Sequence, residues 1–271
     1  MGEQAVRHNR VCVITAADIE FKNITKLLTG ALTQVELRLK VCRGRFNGLA
    51  VTVLQTEIGA PRFAERLQDH LSIFNYDALL VIGLAGALDP ALRTGEVVIY
   101  DRCLDGRGAE ARLQNRSKEN PLACDEIARN ACDARLAQKL FEVLNKRGLH
   151  CVRGAGALVE RIVIDAQTKL ELGRQLRAAA ADMESYLVLA AVAEAQLPCA
   201  VLRIVLDEAS SDLPDFNAAL GQDGRMELRL VLQAMRARPL STLHFLRSLR
   251  PALRALRQVT TGALSYFANS Q

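Results

Sequence analysis

Asp182, Met183, Glu184 and Ser185 stand at the start of a small-residue run, 186–196, that reads as a helix. After a break at Pro198, residues 199–206 form an apolar run that ends on Asp207. One carboxylate at a helix start and another at a strand's carboxyl end can face one crevice, and in open α/β sheets ligands bind outside that end of the strands. Such a pair suits the cleavage of a glycosidic bond to a nucleobase. One acid protonates the departing base, while the other carboxylate grips the sugar hydroxyls.

Asp207 follows a buried strand directly. Desolvation there raises a carboxylic acid's pKa and keeps its proton available; the plainer reading is a helix N-cap before Glu208-Ala209-Ser210. Glu20 lies on the first helical turn after the strand 11–15, where the helix N-terminus stabilises a carboxylate. There it could hold a water or face a sugar, or be simply solvated, as could Glu184. Gly83-Leu84-Ala85-Gly86 follows an apolar run, and glycines let backbone approach a ligand closely, although a tight turn explains them equally well. Thr56-Glu57-Ile58-Gly59 and Thr15-Ala16-Ala17 also end strands. Three strand ends and Asp207 could therefore meet at one crevice.

The elements that would position these residues alternate. Strands are expected at 11–15, 35–42, 49–55, 78–84, 96–100, within 154–164 and at 199–206, with a turn at Asn47-Gly48. Helices are expected at 17–28, from the turn Ala60-Pro61 to about 74, at 131–147, 167–177 and 186–196. Residues 101–125 are polar and resist assignment. Two further helical patterns cover 226–236 and 241–257. The fold class is α/β: a mixed central sheet flanked by helices. The expected domains are 11–222 and a basic amphipathic extension, 223–271.

The chain has 271 residues, half of them hydrophobic, and carries a net charge of +5. That charge is uneven: residues 225–257 hold eight arginines and one acid, Glu227, leaving the rest slightly acidic. A positive excess confined to a tail, with few aromatics between its arginines, does not point to nucleic acid. Seven scattered cysteines without a CxxC pair argue against a disulfide framework, and four dispersed histidines, His8 among them, suggest no metal site. No apolar run is long enough to span a bilayer, and the polar residues 1–10 lack a signal-peptide core. A cytoplasmic setting is expected.

Taken in order, Ala16 to Glu20, Ile58-Gly59, Gly83 to Leu88 with Pro90, Gly95-Glu96-Val97-Val98, Asp182-Met183-Glu184 and Arg203 to Asp207 resemble the nucleoside phosphorylase and nucleosidase superfamily, which includes methylthioadenosine/S-adenosylhomocysteine nucleosidases. The resemblance covers residues 11–211. It implies that Glu20 orients an attacking water, Met183 lies against the ribose, Glu184 holds the ribose hydroxyls and Asp207 protonates the base. It implies no cofactor, with phosphate open as co-substrate. Gly59, Gly83, Leu84, Ala85, Gly86 and Leu206 would line the substrate site. Four positions depart from the pattern. Leu84 and Leu206 replace serines, Glu57 replaces a small residue, and Val81 stands where hexameric purine nucleoside phosphorylases carry a phosphate-binding arginine. Phosphate would then fall to Arg62 or Arg161. Ile162 or Val163 stands in the region of the usual base-stacking phenylalanine.

Asp223-Gly224-Arg225, the helix holding Val231-Leu232-Gln233 and the Leu/Arg-rich end are similar to bacterial hopanoid-associated phosphorylases, which implies an adenine nucleoside with a lipid 5′ substituent, adenosylhopane. Leu246, Leu249, Leu253 and Leu256 repeat at helical spacing beside Arg247, Arg250, Arg254 and Arg257. A basic amphipathic helix of this kind lies on an anionic membrane surface, here the inner face, or packs on the body of the protein. The resemblance also implies a homodimer or larger homo-oligomer. The function expected is N-ribosidic cleavage of an adenine nucleoside. Phosphorolysis to a ribose-1-phosphate product and non-catalytic nucleoside binding are the alternatives.

Overall fold

A computed structural model describes residues 10–59, 62–114, 129–193 and 195–269. The expected turn at Ala60 and Pro61, residues 115–125 of the unassigned stretch, His8 and Cys124 lie outside them. Among the described residues, ten strands make one sheet: β1 (Arg10–Thr15), β2 (Thr29–Glu36), β3 (Leu39–Phe46), β4 (Leu49–Gln55), β5 (Ala78–Ala87), β6 (Val97–Asp105), β7 (Arg129–Ala131), β8 (Cys151–Leu158), β9 (Ala180–Asp182) and β10 (Cys199–Asp207). The helices are α1 (Asp18–Thr25), α2 (Phe63–Ile73), α3 (Arg107–Gln114), α4 (Ala134–Lys146), α5 (Ala166–Leu176), α6 (Ser185–Ala193), α7 (Leu228–Ala237) and α8 (Pro239–Asn269).

A parallel spine runs β4, β1, β5, β10. Its central strands read as unbroken apolar runs because helices cover both faces. β10 then pairs antiparallel with β6, β6 parallel with β8, β8 parallel with β9, and β9 antiparallel back to β5. Half of the sheet thereby closes on itself, which removes open edges there. On the other side, β2, β3 and β4 form an antiparallel meander.

The strand expected at 35–42 is in fact the two sides of a hairpin. The turn falls at Leu37 and Arg38, both at positive φ (48° and 61°), between β2 and β3. Positive φ at both central residues is the geometry that matches strand twist in a two-residue hairpin, but here neither residue is Gly, Asn or Asp. The expected Asn47-Gly48 turn is present, with φ of 48° and 88°. Part of the unassigned polar stretch continues β6 to Asp105 and forms α3.

Three apolar clusters hold the layers. One packs α1, α4 and α8 on the sheet, with Ile24, Leu140 and Leu256 among its fully buried members. A second lies under α2 and α6, through Leu67 and Val188. A third gathers α3 and α5 around β8 and β9. The sequence pattern of α4 shows why it folds as it does. Asp133 accepts the Leu136 amide at 2.7 Å as N-cap, and Leu136, Leu140 and Leu144 repeat on the buried side.

The expected division at residue 222 does not coincide with a break in packing. Ala252, Ala255, Leu256, Val259, Ala263, Leu264 and Phe267 of α8 belong to the same core cluster as the sheet. The leucine stripe is accordingly split. Leu256 is fully buried, Leu253 packs against the core, and only Leu246 is exposed. Among the described residues, no helix is long and apolar enough to cross a membrane.

Candidate active site

Glu20 sits where β1 hands over to α1, and is buried. Its Oε2 accepts from Thr15 Oγ1 (2.8 Å) and from the amides of Ala16 (3.0 Å) and Ala17 (2.9 Å). The Leu84 amide, on β5, donates to Oε1 at 2.7 Å. The carboxylate is therefore fixed by two neighbouring strand ends. Gly83 makes this possible, since a Cβ there would lie 3.0 Å from Glu20 Oε1 and 2.5 Å from Arg203 Nη1.

Arg203, in the middle of β10 and 1 % exposed, organises a second group. Its Nη2 donates to Asp182 Oδ1 (2.9 Å) and Glu184 Oε2 (3.1 Å), and its Nε to Ser185 Oγ (3.0 Å). Asp182 Oδ1 also accepts the amides of Glu184 (2.9 Å) and Ser185 (2.7 Å), which gives these groups at the start of α6 a partner. Tyr100 Oη donates to Asp182 Oδ2 at 3.0 Å. The Tyr100 ring occupies the space a side chain at Gly156 would need. Glu184 is completed by the Gly59 amide, which donates to Oε1 at 3.0 Å. Burial pushes the Glu184 carboxyl up to about 7, against the pull of Arg203 and with a further push from Asp182 and Glu20.

Asp207 ends β10 beyond a bulge, where the register against β5 shifts between Val205 and Asp207. Such bulges re-aim side chains at strand ends. Gly86 lies opposite, and a Cβ there would come within 3.2 Å of Asp207 Oδ2. Lys169 of α5, 1 % exposed, donates to that oxygen at 2.6 Å. Burial raises the Asp207 carboxyl above its ordinary range, and the Lys169 charge and hydrogen bond pull against that rise.

These groups surround one cavity of about 330 Å³, within the usual range for a small-molecule site. Of the residues expected at the site, Glu20, Met183, Glu184, Asp207, Leu84, Ala85, Gly86, Ile162, Val163, Leu206 and Arg161 line it. Gly83 lies behind Glu20, and Gly59 packs under Met183 with φ +61°. Arg62 is not on the cavity. It is exposed and precedes α2 as its N-cap. The aromatic rings at the cavity are Phe216 and Phe245, 5.1 Å apart. Ile162 is held at the cavity by Asn217, which accepts its amide at 2.8 Å and donates to its carbonyl at 3.0 Å. Among the described residues, no group of His, Cys, Asp and Glu side chains could hold a metal ion.

Sequence reasoning missed Lys169, Tyr100 and the cavity contacts of α8, and it singled out Asp182 and Ser185 only as part of the segment 182–185, without a role of their own. Two signals were available. A lone arginine inside an eight-residue apolar run must be paired if buried. Lys169 shares an inward face with Leu172 and Leu176 at helical spacing, and all three are buried. Nothing in the sequence pointed to Phe245 and Leu249 of α8 as cavity walls.

A closed, mixed α/β sheet with acids gathered at its strand ends around an apolar cavity is the arrangement of a small-molecule enzyme. The chain belongs to the phosphorylase superfamily, whose family model matches residues 10–235. The fold is similar to that of a 5′-methylthioadenosine/S-adenosylhomocysteine nucleosidase from Neisseria meningitidis, solved with methylthio-immucillin-A (TM-score 0.70, 16 % identity, 95 % of this chain and 99 % of that one). It is similar also to the nucleosidase of Colwellia psychrerythraea, solved with adenine (TM-score 0.70, 17 % identity, 95 % of each chain). A futalosine hydrolase of Helicobacter pylori matches over 93 % of this chain and 97 % of its own (TM-score 0.66, 17 % identity).

Proposed function

We propose that this protein cleaves the N-ribosidic bond of an adenine nucleoside by hydrolysis. The observation that carries the proposal is the convergence of Glu20, Glu184 and Asp207, from three separate elements, on one cavity. In this reading the base lies toward Asp207, which protonates it as the bond breaks. Glu184 holds the ribose hydroxyls and, when ionised, opposes the positive charge that develops on the sugar. Met183 packs against the ribose, and Glu20 orients the water. Hydrolysis is favoured over phosphorolysis because Arg203 is already engaged by Asp182 and Glu184, Lys169 by Asp207, and Arg62 lies off the cavity, which leaves Arg161 for a phosphate among the described residues.

The apolar walls given by Leu213, Phe216, Met226, Phe245 and Leu249 support a nucleoside with an apolar 5′ substituent, adenosylhopane in the narrowest reading. Leu240, Leu243, Arg247, Arg250 and Arg254 fall on one exposed face of α8, and Leu228 and Leu232 of α7 are exposed as well. Leucines and arginines sharing a face suit an anionic lipid surface at the cytoplasmic leaflet. Because α8 is part of the core, substitution tests this better than deletion. Leu240→Ser with Leu243→Ser is expected to reduce sedimentation with anionic liposomes. Absence of binding by the unaltered protein would end the membrane reading. A homodimer, which the family resemblance implies, is tested by light scattering.

The deciding assay follows adenine release from adenosine, methylthioadenosine and a lipid-extended adenosine, with and without phosphate, and identifies the sugar product by mass spectrometry. Adenine with a free ribosyl product in both buffers is the expected result. A ribose-1-phosphate product that needs phosphate would convert the reading to phosphorolysis. No adenine from any substrate would favour nucleoside binding without turnover.

A further inference from the structure

We propose that Lys169 is a positioning residue for the acid step, holding one oxygen of Asp207 and countering the charge that Asp207 acquires when it gives up its proton. The inference rests on the role given to Asp207 above. Lys169 Nζ has three acceptors: Asp207 Oδ2 at 2.6 Å, the Ser211 carbonyl at 2.6 Å and the Glu208 carbonyl at 3.4 Å. Three acceptors match the three N–H donors of an ammonium group, which accepts nothing in return. The group is held in the loop after β10 as well as by Asp207, so its position does not depend on the state of that carboxyl.

Packing alone does not call for a lysine here. Its neighbours on the inward face of α5 are Leu172 and Leu176, and burial of an ammonium is costly unless it is paired. The pairing it finds is with the one carboxyl that must exchange a proton. The other charged groups around Asp207 point elsewhere. The Glu208 carboxylate lies toward Arg93, at 3.7 Å. Across the cavity, Glu184 is paired with Arg203, and Glu20 is satisfied by backbone amides and Thr15. Arg161 borders the cavity but is exposed. Among the described residues, Lys169 is the cation in ion-pair contact with Asp207.

The chemical consequence follows the proton. As the C–N bond to the base breaks, its electron pair passes to the base, and the Asp207 proton moves to a base nitrogen. Asp207 is left as a carboxylate in a buried site. Without a counter-charge, burial would make it a reluctant acid. Lys169 faces Oδ2 and meets that new charge at once, while Oδ1 is left for the base. Burial raises the Asp207 carboxyl and Lys169 partly offsets that rise, so the lysine lowers the pH at which the proton is lost.

The test is the pH dependence of kcat and kcat/KM in the wild type and in Lys169→Arg, Lys169→Met, Lys169→Gln and Asp207→Asn, each checked for folding by circular dichroism. Activity falls on the alkaline side as Asp207 loses its proton. Removal of the lysine charge is expected to move that limb up by one pH unit or more, to lower plateau kcat about tenfold, and to leave KM within a factor of about three. Lys169→Arg, which keeps the charge, is expected to leave the limb in place. Lys169→Gln keeps a hydrogen-bond donor without the charge and stands in should the methionine variant fail to fold. An alkaline limb that stays put in a folded neutral variant would overturn the proposal, whatever the loss in rate. Retained activity in Asp207→Asn would instead remove the acid role on which it rests, so the two failures are told apart.

Discussion

In the proposed reaction Asp207 and Glu184, which share one cavity, carry opposite requirements. Asp207 would have to hold a proton and Glu184 to lose one. Asp207→Asn and Glu184→Gln are each expected to lower kcat by about 10²–10⁴-fold, the usual worth of a positioned acid or base, with far-UV circular dichroism unchanged. Wild-type turnover in either variant would strip that residue of its role. Arg203 is a different case, because its partners Asp182 and Glu184 are buried with it. Arg203→Ala is expected to cost about 3–5 kcal/mol in urea denaturation, since it leaves carboxylates buried without their cation. At this scale the sequence was informative about polar residues at strand ends, because polarity next to an apolar run is visible in one dimension. Thus Glu20, Glu184 and Asp207 could be singled out. Lys169 was harder to read for the converse reason. It lies in the interior of a helix in which charged residues abound; its spacing with Leu172 and Leu176 marks an inward face, but only the fold shows that it meets Asp207 there.

Among the elements, α8 takes the second of its two expected placements over its C-terminal part, packed on the body. Its arginine stripe, 247 to 257, is exposed as expected, while the leucine stripe beside it turns inward after Leu246. Leu256 is fully buried against the sheet, and Leu249 and Phe245 reach the cavity. Leu256→Ala is therefore expected to destabilise the whole protein by about 2–5 kcal/mol, the range for a large-to-small change in a core. A membrane-only helix would give no such loss in thermal or urea unfolding. Phe245→Ala should enlarge the cavity and alter the preference among 5′ substituents more than the rate with plain adenosine. That is read as a change in the ratio of kcat/KM between a short and a long 5′ chain; an unchanged ratio would place the substituent elsewhere. The pattern 241–257 could be read because leucines and arginines alternate strongly there. Its continuation to Asn269 could not be separated from a polar tail, because Thr260, Thr261 and Gly262 interrupt it. The hairpin at Leu37 and Arg38 escaped notice for a related reason: turns are recognised by Gly, Asn and Asp, and this one uses none of them.

Closure of the sheet, from β10 through β6, β8 and β9 back to β5, is a property of the whole molecule that no local pattern announces. β9 has only three residues, too few for a periodic signal, yet it completes the ring and delivers Asp182 to Arg203. One result of that closure is that Glu184 is buried within a charged cluster, and this links the site to global stability. Burial pushes its carboxyl up to about 7, from an ordinary 4.5. The folded protein then holds this proton more tightly than the unfolded chain does. The stabilising contribution is complete below the ordinary value and is lost as pH rises through about 7. We expect the wild type to lose on the order of 2 kcal/mol between pH 5 and pH 8 relative to Glu184→Gln, which has no proton to lose. In calorimetry this amounts to roughly 5 °C in the difference between the two melting temperatures. Comparison with the glutamine variant cancels the other titrating groups to first order. The variant should thus be inactive and should gain heat resistance relative to the wild type as the pH rises from 5 to 8. A difference that does not change with pH would show Glu184 ionised in the folded protein throughout, with its pairing to Arg203 outweighing burial, and would make the cluster a structural salt bridge first and a sugar-binding group second.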